Sequence, residues 1–288
     1  MINIKNDDEI NLMKKAGHIN YLCHRLLESK IKPGITTKEL DQIAHDFITS
    51  NGCQPSFLNY HGYPGSICTS INEEVVHGIP GKRKLKNGDI ISIDIGVIYQ
   101  GYHSDSANTY GVGQISEENR QLIEQTQKSL SEGLKEVKAG AKLGDIGYAI
   151  EQHANKYNLG VIRELVGHGV GKKLHEEPDV PNYGHKNTGV RLKKGMTLAI
   201  EPMLNLKSRH VLILDDGWTI VTADQFPSAH FEHTVLVTED GYINLTGEWL
   251  NGKRRKNRDR RKSSWSLKRR RLYCSINKRA YCRSLRFW

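Results

Sequence analysis

Ile91, Ile93, Ile95 and Val97 alternate with Ser92, Asp94 and Gly96, a period of two that predicts a strand with one apolar face and Asp94 on the other. Tyr99-Gln100-Gly101 predicts a turn, and a second strand then runs through Asp105. Across a hairpin with a two-residue loop, opposed residues differ in parity, so Asp94 and Asp105 share a face whichever register the turn selects. If they are directly opposed, their Cβ atoms stand roughly 4.5–5.5 Å apart. Whatever the fold, it must contain an antiparallel hairpin with two carboxylates on its polar face.

An Asp on a strand is ordinarily a solvated surface residue. Three later motifs argue otherwise: Gly167-His168-Gly169-Val170-Gly171, Ala199-Ile200-Glu201-Pro202 and Phe231-Glu232-His233-Thr234. Asp94, Asp105, Glu201 and Glu232 bring a formal charge of about −4, which two divalent cations neutralise; unpaired and close together, the four could not all stay ionised. Oxygen ligands with one imidazole and no thiolate suit manganese, iron(II), cobalt or zinc, without selecting among them.

The two halves of the chain echo each other. Ile31-Lys32-Pro33-Gly34 followed by Glu39-Leu40 recurs 106 residues later as Val137-Lys138-Ala139-Gly140 followed by Asp145-Ile146. Helical patterns precede each turn, over 7–29 with Asn6 as the cap and over 116–138 from Ser116, and follow it over 37–51 and 143–158. Strands are predicted near 67–71, 90–97 and 103–110, then near 161–166, 197–203, 210–215, 219–222 and 231–237. A single match of this kind can arise by chance, so the pattern alone does not establish a duplication.

Charge is unevenly distributed. The chain of 288 residues has 42 Lys and Arg against 32 Asp and Glu; residues 253–288 hold 16 of the former and one acid, Asp259, leaving 26 and 31 in the body. The body is therefore about −5 and the tail +15, so the basic balance describes the tail alone. Residues 1–250 read as one domain and 251–288 as a basic, disordered tail. The N-terminus lacks a basic start before an apolar run, and no stretch has the length of a membrane span, so neither a signal peptide nor a membrane partner is expected. Cys23, Cys53, Cys68, Cys274 and Cys282 are an odd count without paired zinc spacing, which predicts free thiols in a reducing cytoplasm.

The run from about Asn6 to Thr246 resembles the type I methionine aminopeptidases, which have the pita-bread fold. The resemblance rests on the ordered ligand motifs, on Ser70-Ile71-Asn72-Glu73-Glu74-Val75-Val76-His77-Gly78-Ile79-Pro80, and on Leu174-His175-Glu176-Glu177-Pro178 after the His168 motif. It implies an α+β fold, a pseudo-two-fold pair of α–β units around a curved antiparallel sheet, which favours reading the internal echo as a duplication. It implies two metal ions: Asp94 chelating one, Asp105 and Glu232 bridging, His168 and Glu201 completing the other. Gly96 stands where many relatives carry a Ser or Thr hydroxyl. Glu201 would also shuttle a proton, His175 would donate to the developing oxyanion, and His77 would contact the second substrate residue. Phe57, Tyr60, Tyr63, Cys68, Leu174 and Trp218 would line an apolar pocket for the first side chain, with His61 at its rim and Leu174 where relatives often have Phe.

The activity so implied is removal of the N-terminal methionine from nascent polypeptides whose second residue is small, by a monomer. The basic tail could hold ribosomal RNA through charge and aromatic stacking, or be an accidental extension. A non-catalytic binding protein of the same fold and an Xaa-Pro peptidase are the alternatives. The complete ligand set opposes the first; the missing N-terminal domain and Gly78-Ile79-Pro80 oppose the second.

Overall fold

A computed structural model of the chain describes residues 2–248. Four helices, α1 (Asp7–Glu28), α2 (Thr37–Ser50), α3 (Glu117–Lys135) and α4 (Leu143–Asn155), flank antiparallel strands. Their starts follow from local chemistry. In α1 Asn6 Oδ1 accepts from Glu9 N while Glu9 Oε2 accepts from Asn6 N; Thr36 and Glu39 repeat this reciprocal cap in α2. Ser116 Oγ accepts from Asn119 N at α3.

The apolar face of the Ile90–Tyr99 strand does what its alternation predicts. Ile91, Ile93, Ile95 and Val97, all 0 % exposed, pack with Cys23 and Leu27 of α1 and Leu40, Ala44 and Ile48 of α2. In the second half Leu130, Leu134, Ile146 and Ile150 of α3 and α4 cover Leu198, Ile200, Val235 and Val237 in the same way. Each fully buried aliphatic side chain contributes about 1.5–3 kcal/mol relative to exposure. The helices thus take the apolar sides of the strands and leave the carboxylate-bearing sides to each other.

The duplication predicted from the two turns is real in the backbone. Gly34 N donates to Leu85 O and Leu85 N to Ile35 O; Gly140 N donates to Leu192 O and Leu192 N to Ala141 O. Thr36 bridges to Lys84 as Lys142 bridges to Arg191. Gly34 and Gly140 share the left-handed φ, +95° and +89°, that only glycine adopts without strain. The ends of the unit meet where α1 crosses the segment beyond Tyr242–Asn244: a Cβ on Gly17 would lie 2.2 Å from the carbonyl oxygen of Leu245.

The structure fixes the hairpin register that parity left open and corrects the extent of three predicted strands. Gln100 and Gly101, at φ +47° and +80°, form the two-residue turn of the hairpin, and its register opposes Asp94 to Ala107 and Asp105 to Gly96. The two Asp residues share a face, as the parity requires, and sit diagonally, two residues out of register. The strand expected at 161–166 is only Gly160–Val161. The strands expected at 197–203 and 231–237 are each interrupted: Thr197–Ile200 resumes as Met203–Asn205, and Ser228–His230 resumes as His233–Val237. Pro202, which has no N–H to give a ladder, sits at the first interruption, and Glu232 N at the second turns to Ala107 O. Ile200 opposes His233 before the gap and Met203 opposes His230 after it, in one register, so Glu201 stands across from Glu232 in the gap itself.

Candidate active site

Each ligand candidate owes its position to a specific piece of this fold. Asp94 and Asp105 come from the hairpin, on the face turned away from α1 and α2. Cys68 opposes Asp94 on the next strand, which brings the pocket wall beside the carboxylate. His168 lies in the Gly167–Gly169 strand, squeezed between Thr197–Ile200 and Glu176–Val180. A Cβ on Gly167 would meet Ala199 O at 2.3 Å and one on Gly169 would meet Glu177 O at 2.3 Å, which explains the glycines on either side of the histidine. Gly78 beside His77 is explained alike, since its Cβ would lie 2.2 Å from Thr69 O.

One atom each of Asp105, His168 and Glu232 falls within a mutual 4.8 Å. His168 Nε2 is 3.6 Å from Glu201 Oε1 and 3.9 Å from Asp105 Oδ2. His168 Nδ1 bonds to Gly169 O at 2.9 Å; it must be the protonated nitrogen there, which turns the Nε2 lone pair toward the carboxylates. Burial pushes Asp94 up to about 7 and Glu201 to about 8, and raises Asp105 and Glu232 well above the carboxylate range, with mutual repulsion adding for Asp94, Asp105 and Glu232. His168 falls to about 3, chiefly from burial.

Buried Asp94 Oδ1, Asp105 Oδ1 and Glu232 Oε1 accept no hydrogen bond. Buried acceptors are nearly always satisfied, and three orphans on converging carboxylates beside an imidazole lone pair fit divalent cations. The donor set therefore suits metal, with Asp105, His168 and Glu232 at its centre and Asp94 and Glu201 flanking.

The same five residues form the floor of a cavity of about 130 Å³ whose walls are Phe57, Tyr60, Tyr63, Cys68, Leu174 and Trp218, with His77 and His175 at the floor. All six predicted wall residues are there. His61 is not among them; it is exposed and stacks edge-on against Tyr60, its ring centroid at 4.5 Å. Tyr63 OH donates to Gly78 O at 2.9 Å and its ring meets Trp218 edge-on, which stiffens that wall. Tyr60 OH lies 2.8 Å from His175 Nδ1, and the His175 ring stands 4.3 Å from that of His168. Burial lowers His77 to about 4 and lowers His175, so both are neutral at neutral pH.

Gly96, opposite Asp105, has no room for a hydroxyl: a Cβ there would lie 2.5 Å from Ser56 Cβ and 2.7 Å from Phe57 Cε1. Ser56 fills that space and its Oγ bonds His103 Nδ1 at 3.0 Å. His230, which ends the Ser228–His230 strand two residues before Glu232, was not singled out by the motifs; its closeness in sequence to Glu232 is the signal that could have found it.

Carboxylates, one imidazole and an apolar cavity ending on them define a metal-dependent hydrolase of the pita-bread class. Residues 11–239 match Metallopeptidase family M24. Methionine aminopeptidase 1 of Bacillus subtilis is 55% identical over 246 residues, covering 85% of this chain and 99% of that protein. The crystal structure of methionine aminopeptidase from Thermotoga maritima is 45% identical with a TM-score of 0.85, covering 86% of this chain and 100% of that one. That from Rickettsia prowazekii is 43% identical with a TM-score of 0.84, covering 85% and 100%. The chain belongs to the M24 metallopeptidases and, within them, to the methionine aminopeptidase family. It is a metallo-aminopeptidase. The basic segment 253–288 lies outside the described residues, and a relative matched over 99% of its length leaves no counterpart for it. Among the described residues no helix is long and apolar enough to cross a membrane, and Cys23, Cys53 and Cys68 are free; Cys274 and Cys282 lie outside the described residues.

Proposed function

We propose that this enzyme hydrolyses the N-terminal methionine from newly made polypeptides whose second residue is small, using two divalent ions held by Asp94, Asp105, His168, Glu201 and Glu232. The observation that carries the reading is the apolar cavity of about 130 Å³ that ends on the carboxylate cluster. It is on the scale of cavities of about 150 Å³ that take up one benzene, so it suits a single unbranched side chain. A thioether is matched to walls of aromatic rings and a cysteine. Bound there, divalent ions, whether cobalt, manganese, iron(II) or zinc, supply Lewis acidity to the scissile carbonyl and to the attacking water.

The remaining steps belong to the chain. Glu201, whose Oε1 faces the cluster 3.6 Å from His168 Nε2, takes the proton from the attacking water and returns it to the leaving amine. With Tyr60 OH, 2.8 Å away, as the donor to His175 Nδ1, the proton of the neutral ring sits on Nε2, and that N–H donates to the carbonyl oxygen as charge develops. His77 orients the amide of the second residue. The substrate's free amine is held at the carboxylate cluster, so acylated chains fail, and crowding around the main chain at that point demands a small second side chain. The reaction takes place in the cytoplasm, where such chains are made. Residues 253–288 hold the enzyme near ribosomal RNA by charge; deleting them leaves peptide hydrolysis unchanged and removes the salt-sensitive part of ribosome binding, and equal binding by both forms at low salt eliminates that role.

The test compares Met-Ala, Met-Leu and Ala-Pro peptides and formyl-Met-Ala with manganese or cobalt added. Only Met-Ala turns over efficiently. Cleavage of Ala-Pro or of the formylated peptide at a similar rate overturns the assignment.

A further inference from the structure

His230 is 1 % exposed, and neither ring nitrogen makes a hydrogen bond. Leaving such a group unsatisfied in the interior costs about 1–3 kcal/mol, and an apolar side chain of the same shape would avoid that cost. Its backbone is held firmly. His230 N donates to Thr109 Oγ1 at 2.9 Å, and Thr109 Oγ1 lies 2.9 Å from His230 O and 2.8 Å from Ser92 Oγ. The ring therefore sits where the sheet puts it, facing Glu201: Nε2 stops 3.4 Å from Oε2.

Glu201 is thereby divided between two imidazoles. Its Oε1 faces His168 Nε2 at 3.6 Å, toward the carboxylate cluster, while its Oε2 faces His230. Its backbone carbonyl accepts from Asn182 Nδ2 at 3.0 Å, but it lies in the gap between two strands, where no ladder bond orients the side chain. Among the described residues no side-chain donor hydrogen-bonds the Glu201 carboxylate, and His168 and His230 are the imidazoles that approach it. His230 itself is no lining residue of the cavity; it stands behind the floor.

We infer that His230 is a positioning residue that donates from Nε2 to Glu201 Oε2, holding the carboxylate so that Oε1 alone is presented to metal and to the attacking water. The inference rests on the ligand set assigned under the proposed function. At 3.4 Å the two atoms are close enough that a small rotation of either side chain completes the bond. A partner behind a ligating carboxylate fixes its orientation, and removing such a partner lowers metal affinity about 10–100-fold.

The test uses His230→Gln, whose amide reaches Glu201; His230→Asn, one methylene too short; and His230→Leu, which has no donor. Manganese binding is read by isothermal titration on metal-free protein, beside far-UV circular dichroism and melting without metal. His230→Asn and His230→Leu lose about 10–100-fold in one binding event, while His230→Gln stays within about threefold of the parent; kcat on Met-Ala follows the same order and KM changes little. Because Asn and Gln differ by one methylene, a folding defect common to both does not imitate this split. Equal manganese affinity for His230→Asn and the parent overturns the role of His230 while leaving the metal site standing. If the parent itself takes up no manganese and Glu201→Gln changes nothing, the metal assignment fails and this inference falls with it.

Discussion

Gly96→Ser is the sharpest test of how this site is packed, because it installs the hydroxyl that many relatives carry at a place where this chain has used the space differently. Replacing glycine in a strand normally helps by about 0.5–1 kcal/mol, since less backbone freedom is lost on folding. Here the new Cβ would lie 2.5 Å from Ser56 Cβ, 2.7 Å from Phe57 Cε1 and 3.0 Å from Ser56 Oγ. The first of these is the root of a side chain, and Ser56 N is bonded to Gly96 O at 2.9 Å, so relief requires the two backbones to part. Overpacking of that kind costs about 1–3 kcal/mol, which outweighs the gain. Net of that gain the loss is up to about 2.5 kcal/mol, so at about 2–4 °C per kcal/mol for a unit of this size the melting temperature falls by up to about 10 °C. Phe57 is also a cavity wall, so KM for Met-Ala rises more than kcat falls. Ser56→Gly removes two of the three clashing atoms; the double variant therefore melts above Gly96→Ser alone, a coupling readable from a double-mutant cycle by calorimetry. A Gly96→Ser protein that melts with the parent and keeps its KM refutes the packing argument.

Asp105→Ala removes a carboxylate from the centre of the candidate metal cluster, so turnover and bound metal are expected to disappear together while circular dichroism is retained; full activity of the metal-loaded variant contradicts the proposed dinuclear site. His175→Ala lowers kcat about 10²–10³-fold with little change in KM, as loss of one oxyanion donor does, and Tyr60→Phe lowers it less by loosening the ring proton; a KM effect alone points to binding instead. His24, held by Tyr110 OH and Ser106 O and flanked by His230 and His233, is lowered by burial from 6.5 to about 4. Between those values the unfolded chain binds the proton and the folded one does not. Stability therefore falls as pH drops from 6.5 to 4, by up to about 3 kcal/mol from this group, and His24→Gln flattens that part of the urea-unfolding profile.

Much of the architecture could be read before any coordinates. Alternation from Ile91 to Val97 located the central strand and its apolar side, and Asn6 and Ser116 located helix starts, because these signals are local. All five ligand candidates and all six wall residues converge for the same reason: their motifs are short and each fixes one side chain. What escaped was set by distant chain. Parity fixes the face of Asp94 and Asp105 but not the register, which the turn geometry of Gln100-Gly101 decides. The gaps at Glu201 and Glu232 arise because Glu232 N finds Ala107 O in the other half of the chain, and no local pattern announces that. His230 escaped because a histidine is recognised by what faces it, and Glu201 comes from another strand.

The meeting of Gly17 with the Leu245 carbonyl means that the first helix is seated by some of the last residues of the unit. While the chain is being synthesised, the first half can build its hairpin and two carboxylates, yet the imidazole and the two glutamates are still to come. A chain stopped before residue 232 therefore lacks one candidate carboxylate, and one stopped before Leu245 lacks the segment against which the first helix is seated. A partial chain offers little premature proteolytic chemistry to its surroundings, and turnover in a sample counts only molecules whose two ends have found each other.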